Sequence, residues 1–122
     1  MKLKNIIFLF LGVLLEIVVH FWVSSKTDFI TRNYGVSFSM NWLNPLVLNI
    51  LFMLFIGWFY LKNESYFFGL ILIGGIVNMI DRLIFGYVRD YWTFGGVLIN
   101  NLNDWLIGLG VSLFLLDVLW KK

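Results

Sequence analysis

Gly74-Gly75-Ile-Val-Asn78-Met-Ile-Asp81-Arg82-Leu, followed by Val88-Arg-Asp90-Tyr91 and Asn101-Leu-Asn103-Asp104, sets three aspartates and arginine into a sequence that is otherwise nearly all hydrocarbon. An Asp or Arg at the centre of a membrane-spanning helix costs roughly 2.5–3.5 kcal/mol on insertion scales. Such residues therefore persist mainly where they face a bundle interior or a water-filled cavity and perform a function. The stretch reads as an intramembrane aspartyl site.

Around it the chain is 61% hydrophobic and 13% charged, with a mean hydropathy of +0.88. A chain of 122 residues with so little polar surface cannot cover a soluble globule, so the composition is that of an integral membrane protein. Cysteine is absent, which removes disulfides, thiolate nucleophiles and zinc thiolates. The single histidine cannot build a multi-histidine metal site. A net charge of +2 gives no reason to expect a nucleic-acid partner.

Four apolar runs of spanning length follow, about 6–23, 45–61, 66–87 and 101–120. The fold expected is an all-α membrane protein of four transmembrane helices in one integral domain, residues 1–122. Pro45 suits a first helical turn, where its missing N–H costs nothing. Glu16 and His20 interrupt the first run and no small-x-small site follows it, so it is expected to stay as a helix and not be cleaved as a signal peptide. Lys2, Lys4, Lys62, Lys121 and Lys122 fall at one end of the helices, against Lys26, Arg32 and Arg89 at the other. Arg82 lies inside the third run and belongs to the site. The basic residues then place both termini in the cytoplasm of a multi-pass inner or plasma membrane protein.

Between the first two helices, Tyr34, Val36, Phe38 and Met40 alternate with Gly35, Ser37, Ser39 and Asn41. This is the period of a half-buried strand, and it predicts a small β element on the outer face. Glu16 and His20 are four apart on one helical face and are expected to pair as a polar clasp inside the bundle. Asp117 and Lys121 read as an ion pair near the end of the fourth helix. Gly108 and Ser112 read as a close-packing face of that helix.

The aspartates are too many for a simple clasp. Two carboxylates brought close in a low dielectric cannot both ionise, so they share a proton and one acts as base while the other acts as acid. A water between them would attack a peptide carbonyl, with one carboxylate taking its proton and the other stabilising the oxyanion. This chemistry needs no cofactor and no metal. A structural polar network or an ion path built from the same acids is the alternative.

The blocks quoted above, together with Asn33-Tyr-Gly35-Val-Ser-Phe38-Ser39, resemble in order and spacing the signature blocks of the lipoprotein signal peptidase (signal peptidase II) family. The resemblance implies an aspartyl endopeptidase that removes the signal peptide from diacylglyceryl-modified prolipoproteins just before the lipidated cysteine. By motif position it implies Asp90 and Asp104 as the catalytic pair. Asn78, Arg82 and Asn101 would line the site, Asp81 would brace it, and Asn33 would enter from the β region. Lipid-modified prolipoproteins, membrane lipids and globomycin-like inhibitors are the implied partners. Depth alone pairs differently. On an unbroken helix Asp90 would stand roughly 13 Å above Asp81, which lies level with Asp104. Asp90 reaches the site only if the helix breaks near Gly86 and the chain folds back, and Asp81 is otherwise the partner. Compared with the family pattern, Glu16 and His20 replace an aspartate and a lysine, Asn103 replaces an alanine and Val77 a glycine, and the outer region before Asn33 is short. These departures carry the second expectation, a catalytically inactive relative that binds lipidated peptides or acts as an assembly partner.

Overall fold

The computed structural model describes residues 2–34, 44–94 and 98–121. Its elements run α1 (Leu3–Lys26), β1 (Thr31–Asn33), α2 (Pro45–Asn63), α3 (Tyr66–Phe85), β2 (Val88–Asp90), β3 (Trp92–Phe94), β4 (Leu98–Asn100) and α4 (Leu102–Trp120). All four helices are long and apolar enough to cross a membrane. Each lies where an apolar run predicts it. α1 extends three residues further at both ends, and α3 stops two residues earlier than its run.

Side-chain capping sets the starts of α2, α3 and α4. The Asn44 carboxamide accepts from the backbone N–H of Leu46 and Val47, with Pro45 opening the helix. Ser65 accepts from Phe67 N–H to open α3. The end of α3 is set by Gly86, whose φ of 80° is the left-handed value that glycine adopts without a Cβ clash. Its N–H closes the helix on the Arg82 carbonyl. The chain reverses there, as Asp90 required.

α3 is the central helix. Within the apolar stretches, 56% of α3 is buried, against 11%, 22% and 11% for α1, α2 and α4. The others pack around it and turn their remaining apolar surface outward, as hydrocarbon surroundings allow. The apolar core lies between α2 and α3, where Met53, Ile56 and Tyr60 meet Phe68, Ile71 and Leu72. α4 approaches α3 most closely, and glycine makes room on both sides. A Cβ on Gly74 would strike the Asn103 carbonyl oxygen, and one on Gly110 would lie 2.5 Å from the Phe67 carbonyl oxygen. Gly74→Val is accordingly expected to destabilise the bundle by about 1–3 kcal/mol, read as a lower thermal midpoint in detergent.

The packing glycine of α4 is therefore Gly110. The expectation for Gly108 and Ser112 is corrected: both are exposed, and a Cβ on Gly108 meets nothing within 4 Å. The Asp117–Lys121 ion pair forms at 3.0 Å on the surface.

At the end of the bundle where α3 stops and α4 begins, β1 pairs antiparallel with β2, with Thr31 opposite Asp90 and Asn33 opposite Val88. β3 and β4 form a second antiparallel pair. The alternating stretch that predicts a strand lies outside the described residues from Gly35 to Asn41. The β structure described flanks it at β1 and continues in the segment between α3 and α4.

Candidate active site

Polar side chains from six elements converge at this end. Asp90 stands at the end of β2, brought back over α3 by the turn at Gly86, and is 2% exposed. Asp104 stands in the first turn of α4, where the helix dipole favours an anion. A capping box fixes it. Its backbone N–H donates to the Asn101 carboxamide oxygen at 3.1 Å, while its Oδ2 accepts from the Asn101 backbone N–H at 3.1 Å.

Asn101 joins the two aspartates. Its Nδ2 donates to Asp90 Oδ1 at 2.9 Å, and it also reaches the Arg89 carbonyl and Asn78 Oδ1 at 3.2 Å each. Asn78, on α3, donates to Asp104 Oδ1 at 3.3 Å. Asn33, at the end of β1, donates to Asp90 Oδ2 at 3.2 Å. Each carboxyl is thus held by two N–H donors. Arg82 donates to Asn49 Oδ1 from α2, and Asn49 is itself tied to the Gly75 carbonyl at 3.3 Å. Burial pushes the Asp90 carboxyl up to about 7, and the nearby Asp104 charge adds to the rise. The Asn33 and Asn101 hydrogen bonds and the Arg82 charge partly offset it.

Asp81 occupies a different place. It is fully buried and accepts from His20 Nε2 at 2.7 Å, from Arg89 Nη2 at 2.9 Å and from the Arg89 backbone N–H at 3.0 Å. The Arg89 guanidinium lies over the rings of Phe21 and Phe85, 4.1 and 4.5 Å from their centroids. Asp81 is spent on this clamp. The Glu16–His20 clasp is corrected accordingly. Both residues are buried, but His20 bonds Asp81 and Tyr91, and among the described residues Glu16 Oε2 has no hydrogen-bond partner.

All seven predicted residues, Asn33, Asn78, Asp81, Arg82, Asp90, Asn101 and Asp104, gather in this cluster. Sequence reasoning gave no site role to Asn49, Arg89, Tyr91 and Asn103. The available signal was polarity within or beside an apolar run. Next to Asp104 a groove of about 430 Å³ opens along the outer flank of α4, lined by Asn100, Trp105, Gly108, Leu109 and Ser112. The open Gly108–Ser112 face is its floor.

The sequence model of a family described as signal peptidase (SPase) II matches residues 27–120. The chain belongs to that family. A lipoprotein signal peptidase of Campylobacter jejuni subsp. doylei is 35% identical over 114 residues, covering 83% of this chain and 73% of that protein. Those of Brucella ovis and Sinorhizobium fredii are 34% and 32% identical, covering 77% and 73% of this chain and 69% and 62% of theirs. Two solved bacterial membrane enzyme structures superpose with a TM-score of 0.76 at 18% identity. They cover 97% and 98% of this chain and 88% and 94% of their own. They share its fold. Signal peptidase II membership makes the chain a multi-pass membrane protease of lipoprotein processing.

Proposed function

We propose that this signal peptidase II family member is an aspartyl endopeptidase whose dyad is Asp90 and Asp104. It cleaves diacylglyceryl-modified prolipoproteins just before the lipidated cysteine. The observation that carries the reading is the meeting of both carboxyls at Asn101, one through its side-chain amide and one through its capping box. Each aspartate keeps further acceptor capacity for a water between them.

The pair shares one proton. The ionised carboxylate takes a proton from the bound water as its oxygen bonds to the scissile carbonyl carbon. The protonated carboxyl donates to the developing oxyanion. Collapse of the tetrahedral intermediate breaks the C–N bond, and the proton gained by the dyad passes to the leaving amine. Asn33, Asn78 and Asn101 hold the carboxyls at a fixed separation, and Arg82 supplies positive charge beside them. The burial of Asp90 raises the strength of each interaction by excluding bulk water.

The groove along α4 admits the apolar substrate segment from the lipid, adjacent to Asp104. Gly108→Leu, which fills the groove floor without touching the dyad, is expected to raise KM about tenfold with kcat little changed, as loss of binding shared by ground and transition states would. Both termini lie in the cytoplasm in this reading. Lys2, Lys4 and Lys62 then stand on the inner side and the site on the outer, with membrane lipids around the single domain.

The test is cleavage of a diacylglyceryl-modified prolipoprotein by the purified chain in liposomes, followed as a gel shift, with globomycin in a parallel reaction. Cleavage blocked by globomycin supports the reading. Absence of cleavage by folded protein sinks it in favour of a binding relative.

A further inference from the structure

His20 is the single histidine of the chain, fully buried, and it lies between the two segments that carry the proposed dyad. Its Nε2 is 2.7 Å from Asp81 Oδ2. Asp81 in turn grips the Arg89 backbone N–H and guanidinium, the residue immediately before Asp90. On the other side, His20 Nδ1 is 3.1 Å from the Tyr91 hydroxyl and 3.4 Å from Asn103 Nδ2. The Tyr91 oxygen accepts from the Leu102 backbone N–H at 2.9 Å, and Leu102 and Asn103 immediately precede Asp104. One imidazole thus spans from the Asp90 segment to the Asp104 segment.

The direction of these hydrogen bonds fixes the ring's proton. A backbone N–H only donates, so the Tyr91 oxygen is an acceptor from Leu102. Burial pushes the Tyr91 phenol up to about 12, so it keeps its proton, and the buried hydroxyl needs an acceptor, which His20 Nδ1 offers at 3.1 Å. The Asn103 amide cannot be flipped. Its Nδ2 donates at 3.0 Å to Asn78 Oδ1, an oxygen that also accepts from Asn101. Nδ1 therefore faces two donors and is bare, and the ring proton sits on Nε2, donated to Asp81. Arg89 already supplies the cation that balances Asp81, so no charge is required of the ring.

We propose that His20 is a positioning residue of the dyad. As a neutral imidazole protonated at Nε2, it is a two-ended spacer that sets the distance between the strand bearing Asp90 and the helix start bearing Asp104. The kinetic part of this proposal rests on the aspartyl-protease reading; the tautomer does not.

Labelling with ¹⁵N-histidine gives signals from His20 alone, and two-bond couplings to the ring protons tell the nitrogens apart. In detergent near neutral pH, the bare nitrogen is expected to be the one coupled strongly to Hε1 only, which is Nδ1. A bare Nε2, or a ring protonated at both nitrogens, overturns the assignment. In the cleavage assay, His20→Gln keeps a neutral donor and an acceptor, and is expected to stay within about tenfold of wild-type kcat. His20→Phe keeps the bulk and neither function; it should lose about 100-fold in kcat with KM within about threefold, the order of effect that a small misplacement of catalytic groups produces. Equal activity of His20→Phe and wild type, or equal losses in both variants, overturns positioning by hydrogen bonding. Should His20→Phe not fold, His20→Gln and the tautomer decide. Wild type that shows the expected tautomer but cleaves nothing overturns the protease reading and leaves the assignment of His20 standing.

Discussion

Asp104→Asn and Asp90→Asn are each expected to lower cleavage by about a thousandfold or more while leaving a folded protein, because either change removes a proton-transfer group from a two-carboxylate mechanism. Folding should survive. An asparagine carbonyl at 104 still accepts from Asn101 N–H or Asn78, and one at 90 still accepts from Asn101 or Asn33. Gel filtration and thermal melting beside the cleavage assay read both properties, and full activity in either variant removes that acid from the dyad.

The same carboxyl sets a pH dependence. With Asp90 raised from its ordinary 3.8 to about 7, the folded protein binds a proton that the unfolded chain has released by pH 5. The associated stability is fully present below the unfolded value and is lost as pH rises through about 7, by at most about 4 kcal/mol. Asp90→Asn is expected to flatten that loss, so its thermal midpoint should gain on wild type at pH 8 relative to pH 5. Wild-type activity should fall as pH rises through about 7, where the shared proton leaves.

Asp81→Ala is expected to fail differently, through stability. It strands the His20 Nε2–H and the Arg89 guanidinium, whose side chain is 13% exposed, and removing one partner of such a buried pair costs about 3–5 kcal/mol. The variant should be poorly folded or melt far below wild type. This separates the two pairings that depth left open. Were Asp81 the partner of Asp104, Asp81→Asn would be folded and dead, and Asp90→Asn would cleave.

Most of the fold is legible because lipid imposes a strict rule on sequence: about 20 apolar residues per crossing, with polar residues only where they are held. The four runs follow from it, whereas the seven site positions and the break near Gly86 rest on the resemblance to the family's blocks, since Asn33 and Asp90 lie outside the apolar runs. Three-residue strands such as β2 and β4 are too short to show a period, which hides the β structure between α3 and α4. Sequence pairs His20 with Glu16 because i,i+4 neighbours are visible in it. Its real partner lies 61 residues away, and Glu16 sits about one turn, roughly 6 Å, along the helix axis. Gly108–Ser112 misled for a related reason. Small residues four apart look alike whether they admit a neighbouring helix or leave a trough, and only Gly110 has Phe67 and Ile71 against it.

The clamp between α1 and α3 also bears on how the chain is made. Synthesis from the amino terminus delivers His20 to the bilayer long before Asp81, which reaches the lipid with an imidazole already waiting at its depth. Arg89 emerges only eight residues later and completes the set. A third helix bearing Asp81 and Arg82 is a poor substrate for the translocon by itself. Beside a first helix that already carries His20, Asp81 enters with a partner, and β2, which brings Arg89 and Asp90 after it, has both helices to close on.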